Sequence, residues 1–144
     1  MNDEILKEIE KLEELEKYEE IINIIENLQA EQLNTEIIEG LARAYANIQK
    51  YEKAIEILKS IEYEGKNSVD WNYTIGYSYY YSKDYKNSEK YFLRALELDK
   101  TDDDIKNALL NVYLELSGQT INEKSIENKD KAIEYALKSE KYII

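Results

Sequence analysis

This sequence is that of an all-α chain, an α-solenoid of about four helix-turn-helix hairpins, and two observations carry that reading. Apolar residues step by three and four, as in Tyr51, Ala54, Ile55, Leu58 and Ile61, which places them on one face of a helix; the alternation of a half-buried strand is absent. Tyr18, Tyr51 and Tyr85 each open such a pattern at separations of 33 and 34 residues, and a fixed period of that size marks stacked helical repeats. An ordinary bundle has no reason to hold it over three units.

The period extends to other columns. Ile21, Ala54 and Ser88 follow the tyrosines, Leu12, Tyr45 and Tyr79 precede them, and Leu28, Ile61 and Ala95 close each unit. One domain, 1–144, thus divides into units at 2–34, 35–68, 69–102 and 103–144. The pattern predicts helices over 3–16 and 19–28, then 35–48 and 51–62, then 69–82 and 85–98. A fourth unit follows at 102–116 and 130–142, with about ten extra residues between its helices, near 117–130. Those residues either enlarge a tolerated loop or form a flap that meets a partner.

The breaks have local causes. Gly65-Lys66-Asn67-Ser68 and Ser117-Gly118 are expected to take left-handed or capping geometries that helix interiors resist. Thr101 with Asp104 reads as the start of a capping box, and Asp102 and Asp103 add charge where the helix dipole is positive. A metal site over 99–104 is not expected, because the calcium-loop pattern needs a central Gly and a distal Glu that are missing.

Composition narrows the function. The 144 residues include no Cys, no His and no Pro, which removes disulfides and Cys or His chemistry, whether metal-binding or catalytic. With 43% hydrophobic and 35% charged residues the chain can fold around a core. Its net charge is -12 and its only arginines are Arg43 and Arg94; nucleic acid, which is held through clustered cations, is not an expected partner. The first 34 residues hold 11 acidic and 3 basic side chains, either a solvated face or a field that steers a basic partner. Residues 1–10 carry four acids and no apolar run, unlike a secretion signal, and no apolar stretch reaches the length of a membrane span. A cytoplasmic location without membrane association is the expectation. No enzyme activity or cofactor is expected: the nearest nucleophile motif, Gly76-Tyr77-Ser78-Tyr79-Tyr80, lacks its second Gly and lies within a helix.

The third unit resembles a tetratricopeptide repeat through Ile75, Gly76, Tyr79, Asp84, Tyr85, Phe92 and the run Ala95-Leu96-Glu97-Leu98-Asp99. The second unit is similar through Leu41, Ala42, Tyr45, Tyr51, Ala54, Leu58 and Ile61. Departures are Lys100 where the family has Pro, Ser88 and Ile21 in an Ala column, and Asn72 in a Trp column, with Trp71 one residue early. The resemblance implies a right-handed superhelix whose first helices line a concave, protein-binding surface.

Transferred to this chain, that surface takes Tyr73, Tyr77, Tyr80 and Tyr81 from the third unit, Arg43 and Asn47 from the second, and Asn107 and Asn111 from the fourth. Tyrosine offers a large apolar face with a hydroxyl, suited to a partner surface; the alternative is that these rings pack between helices, as Tyr45, Tyr51, Tyr79, Tyr85 and Tyr113 should. Asn107 and Asn111 can bond a peptide backbone or simply be solvated. The expected function is a protein-interaction module (adaptor, co-chaperone or assembly factor) holding a basic or basic-aromatic protein segment. The alternative is a small acidic inhibitor, such as an immunity or anti-defence protein, that masks a basic site. A homodimer through the apolar end Tyr142-Ile143-Ile144 is a further expectation.

Overall fold

A computed structural model describes residues 2–122 together with Glu134, Leu137, Lys138, Lys141 and Tyr142. Helices α1 (Asn2–Glu14) and α2 (Tyr18–Glu26) form the first hairpin, and a 3-10 turn at Ala30–Gln32 leads to α3 (Thr35–Asn47) and α4 (Tyr51–Ser60). The single turn α5 (Glu62–Gly65) precedes α6 (Val69–Tyr81) and α7 (Tyr85–Leu98), and α8 (Asp103–Asn122) follows. Three hairpins and the first helix of a fourth are therefore described. Of the expected helix over 130–142, Glu134, Leu137 and Lys138 are described as helical and Lys141 and Tyr142 as a turn, with Tyr142 stacked on Tyr113 at 5.8 Å; its other residues, and Ile143 and Ile144 of the expected dimer contact, lie outside the described residues.

The hairpins form by one turn used three times. Glu16, Gln49 and Lys83 have φ of 56°, 67° and 66°, and each N–H donates to the carbonyl three residues back, at 3.0 Å in every case. The next N–H, from Lys17, Lys50 or Asp84, reaches back five residues to Leu12, Tyr45 or Tyr79 at 2.9 Å each time. This is the Schellman closure, which satisfies the last carbonyls of a helix through one left-handed residue. Its acceptors are the Leu12, Tyr45, Tyr79 column seen in the sequence, so the repeat is encoded in the turn as well as in the apolar face.

Stacking follows from these turns. The second helix of each unit packs on the first helix of the next, α2 on α3, α4 on α6 and α7 on α8, while α1, α3, α6 and α8 touch in succession. Ile21, Ala54 and Ala95 are fully buried in the columns that recur, and Leu28 is half-buried. Gly76 permits a close crossing of α6 and α7: a Cβ there would lie 2.9 Å from ring carbons of Phe92. Among the described residues no helix is long and apolar enough to cross a membrane.

The break at 65–68 takes its expected capping geometry, and two other local expectations need correction. No glycine has positive φ among the described residues. Gly65 instead ends α5 under the Trp71 ring, which a Cβ would strike, while Ser68 caps α6 by accepting from the Trp71 N–H at 3.1 Å. Ser117-Gly118 is not a break, because α8 runs through both to Asn122; helix costs nothing sterically there, since a Cβ on Gly118 would meet nothing within 4 Å. The cap of α8 is Asp102 and not Thr101: its Oδ1 accepts from the N–H groups of Asp104 at 2.9 Å and Ile105 at 3.2 Å. Thr101 donates its N–H and hydroxyl to Asp99 Oδ1 instead.

Candidate functional site

The first helices leave a trough between α3, α6 and α8. On α6 the spacing of Tyr73, Tyr77, Tyr80 and Tyr81 puts four rings on one stripe, and on α8 the spacing of Asp104, Asn107, Ala108 and Asn111 faces them. Phe92 of α7 closes the floor of this recess, about 190 Å³ in volume. A second recess of about 160 Å³ is bounded by Arg43, Ala46 and Asn47 of α3 and by Tyr73, Thr74 and Tyr77 of α6. Tyr73 and Tyr77 belong to both, so the structure brings all eight sequence-derived residues onto one continuous trough.

The rings are neither loose nor sealed. Tyr73, Tyr77 and Tyr80 are half-buried and Tyr81 is 50% exposed. Tyr81 stacks on Tyr51 at 5.3 Å and 16°, meets Tyr77 at 4.7 Å, and takes the edge of Tyr80 at 5.1 Å; Tyr73 lies 5.5 Å from Phe92. Such contacts hold aromatic rings in place, and none of the four is fully buried. Tyr51, assigned from sequence to packing between helices, thus also buttresses the trough.

Electrostatics favour neutral phenols in a negative field. Burial, then the neighbouring Tyr81 and Tyr51, pushes the Tyr77 hydroxyl up to about 12. Burial and the carboxylates of Asp104 and Asp102 raise Tyr73, and burial followed by Glu115 raises Tyr80. Each therefore keeps its proton at neutral pH and can donate or accept. The side chains of Asp104, Asn107 and Asn111 make no hydrogen bond or ion pair among the described residues.

Arg43 is less free than its sequence position implies. Its Nε donates to Glu13 Oε2 at 3.1 Å and its Nη2 to Glu13 Oε1 at 3.3 Å, a two-pronged pair reaching from α3 to α1. Burial disfavours its charge, but the bonds to Glu13 and the charges of Glu13, Asp70 and Glu39 together hold its pKa above the usual value. Among the described residues it is the only cation lining either recess. Asn47 is exposed and donates to its own helix, to the Arg43 carbonyl at 2.9 Å. Ser78 is wholly buried and donates to the Thr74 carbonyl at 2.8 Å.

Sequence reasoning missed Tyr91. It is 1% exposed, stacks on Tyr79 at 5.7 Å and 3°, and accepts from Lys59 Nζ at 2.6 Å. Its signal was present, because Tyr91 stands in the column of Ile24 and Ile57.

Residues 69–102, which form α6 and α7, match the family model of the tetratricopeptide repeat. No curated protein matches the chain in sequence.

Proposed function

We propose that this tetratricopeptide-repeat protein holds an extended segment of another protein in the trough between α3, α6 and α8, serving as an adaptor, co-chaperone or assembly factor rather than as a catalyst. The repeat is a protein-interaction module. The observation that carries the reading is the trough itself, in which the tyrosines of α6 face unengaged amides of α8. Asn107 and Asn111 pair with a peptide backbone, donating and accepting at once, while the rings bury the side chains of the segment.

The segment is basic or basic-aromatic. Burial first and then nearby carboxylates raise the Tyr73 and Tyr80 pKa values, and Arg43, the one cation lining the trough among the described residues, is already paired. A partner cation enters such a field with faster association and without displacing an existing ion pair.

The test is affinity purification with mass spectrometry from the native cell, using the wild-type chain and the double variant Tyr77→Ala, Tyr81→Ala as baits. Aromatic anchors at an interface centre contribute about 2 kcal/mol or more each, so the double variant keeps its helical signal and loses the partner. Undiminished capture by that variant would place the site elsewhere. A tight one-to-one complex that silences a partner enzyme would instead identify an acidic stoichiometric inhibitor.

A further inference from the structure

We infer that the recess between α6 and α8 is an arginine pocket, taking the guanidinium group of one arginine side chain of the bound segment; this rests on the reading of the trough as a peptide site and names what that site selects. The two walls differ in kind. The α6 wall is made of the rings of Tyr73, Tyr77 and Tyr80, and the α8 wall of Asp104, Asn107 and Asn111. A flat cation with donors in its own plane is the group that uses both: its face stacks on phenol rings while its N–H fork reaches a carboxylate and amide oxygens. Arginine is the side chain with that shape. Lysine has a point charge and no flat face, and an apolar side chain would leave the acceptors of α8 without water or partner.

Three observations fix the sign of the occupant. Asp104, which lines the recess, has no ion pair among the described residues, although Asp103 beside it has Lys106 at 4.0 Å. The Tyr73 hydroxyl feels Asp104 and Asp102, and the Tyr80 hydroxyl feels Glu115. Among the described residues no cation lines this recess. A guanidinium placed there is drawn by the carboxylates and by the ring faces at the same time. The nearest guanidinium of the chain along the trough, Arg43, is held by Glu13. The pocket is thus left for a partner's arginine.

The probe is a blocked arginine amide, titrated into the full chain while the side-chain amide signals of Asn107 and Asn111 and the tyrosine ring signals are followed by NMR. Blocked citrulline and lysine amides serve as comparisons. Citrulline keeps the planar shape and loses the charge; lysine keeps the charge and loses the plane. Saturable shifts with arginine in the millimolar range, about tenfold weaker with lysine and absent with citrulline, are the expected result. Asp104→Asn should weaken the arginine response about tenfold with an unchanged helical signal, and Asn107→Ala with Asn111→Ala provides a second variant should Asp104→Asn unfold the chain. Equal shifts from arginine and citrulline, or no saturable shift from any probe, would overturn the pocket. Capture of a partner that still depends on Tyr77 and Tyr81 would, in that event, leave the trough standing and remove only its arginine preference.

Discussion

Gly76 shows how one missing side chain positions the site. Replacing it by Ala gains about 0.5–1 kcal/mol of helix preference, yet the new Cβ would sit 2.9 Å from the ring carbons of a Phe92 that is 2% exposed and has nowhere to turn. Overpacking of that kind costs about 1–3 kcal/mol, so Gly76→Ala should be destabilising in urea unfolding and should weaken ligand capture as well, because Phe92 is the floor of the trough. Glu39 poses the opposite problem. It is buried at 7% exposure, and burial raises its pKa above 4.5 more than Ser68 and Arg43 draw it down. A carboxyl that holds its proton more tightly when folded adds stability below the unfolded pKa and loses it as pH climbs through the folded value. Glu39→Gln should therefore raise the unfolding midpoint relative to the wild type near pH 7, with the gain shrinking toward about pH 4; a constant difference across that range would exclude the carboxyl as its source. The sequence marked the small residue and the ring at Gly76 and Phe92, because the family resemblance prescribes both. It gave no sign that Glu39 would be enclosed, since burial of a charged residue depends on neighbours from other hairpins. Trp71 was puzzling for a similar reason. Its indole N–H donates to the Leu58 carbonyl at 2.9 Å, a bond to another helix, while Asn72 fastens the Lys66 and Ser68 carbonyls at 2.9 Å each.

Helices were the most legible part of the chain: the apolar period located α1 to α4, α6 and α7 to within two residues at each end, but missed the single turn α5. What the period could not show was how each helix stops. Three turns place Glu16, Gln49 and Lys83 in left-handed backbone, a conformation that glycine adopts without the strain a Cβ introduces. Lys83→Gly should accordingly leave stability unchanged or raise it by up to about 1 kcal/mol, with relief of strain set against the added freedom of the unfolded chain. Ser117 occupies the corresponding place one period later, 34 residues after Lys83, yet α8 continues to Asn122. The extra residues of the fourth unit therefore begin by prolonging a helix, which composition alone disguised as a Ser-Gly break. At the other end of α8, Asp102 satisfies two N–H groups that nothing else reaches. Asp102→Ala should cost about 1 kcal/mol, read by thermal unfolding, and because Asp104 lies in the same turn the loss should also loosen the acidic side of the trough.

Because each hairpin touches only its neighbours, stability in a stack is a sum of local units and interfaces, and the apolar contacts follow that rule. One buried cluster runs from Ile9 and Leu12 through Ile37, Leu58 and Trp71 to Tyr91. A second gathers Phe92, Ala95, Ile105, Leu109, Val112, Tyr113 and Leu116 around α7 and α8, and Tyr77 packs against both. The trough is built across that junction, so its α8 wall depends on the second cluster alone. Leu109, fully buried within it, is the place to separate the two. Leu109→Ala should cost about 2–5 kcal/mol, and hydrogen exchange should show the loss first in α8 and α7, while α1 to α4 keep their protection. Ile37→Ala, at an equally buried position of the first cluster, should reverse the pattern. Capture by the trough should then fall with Leu109→Ala under conditions where the first hairpins are still folded. Uniform acceleration of exchange in every helix for both variants would show a single cooperative core instead, and the trough would then be lost only when the entire chain unfolds.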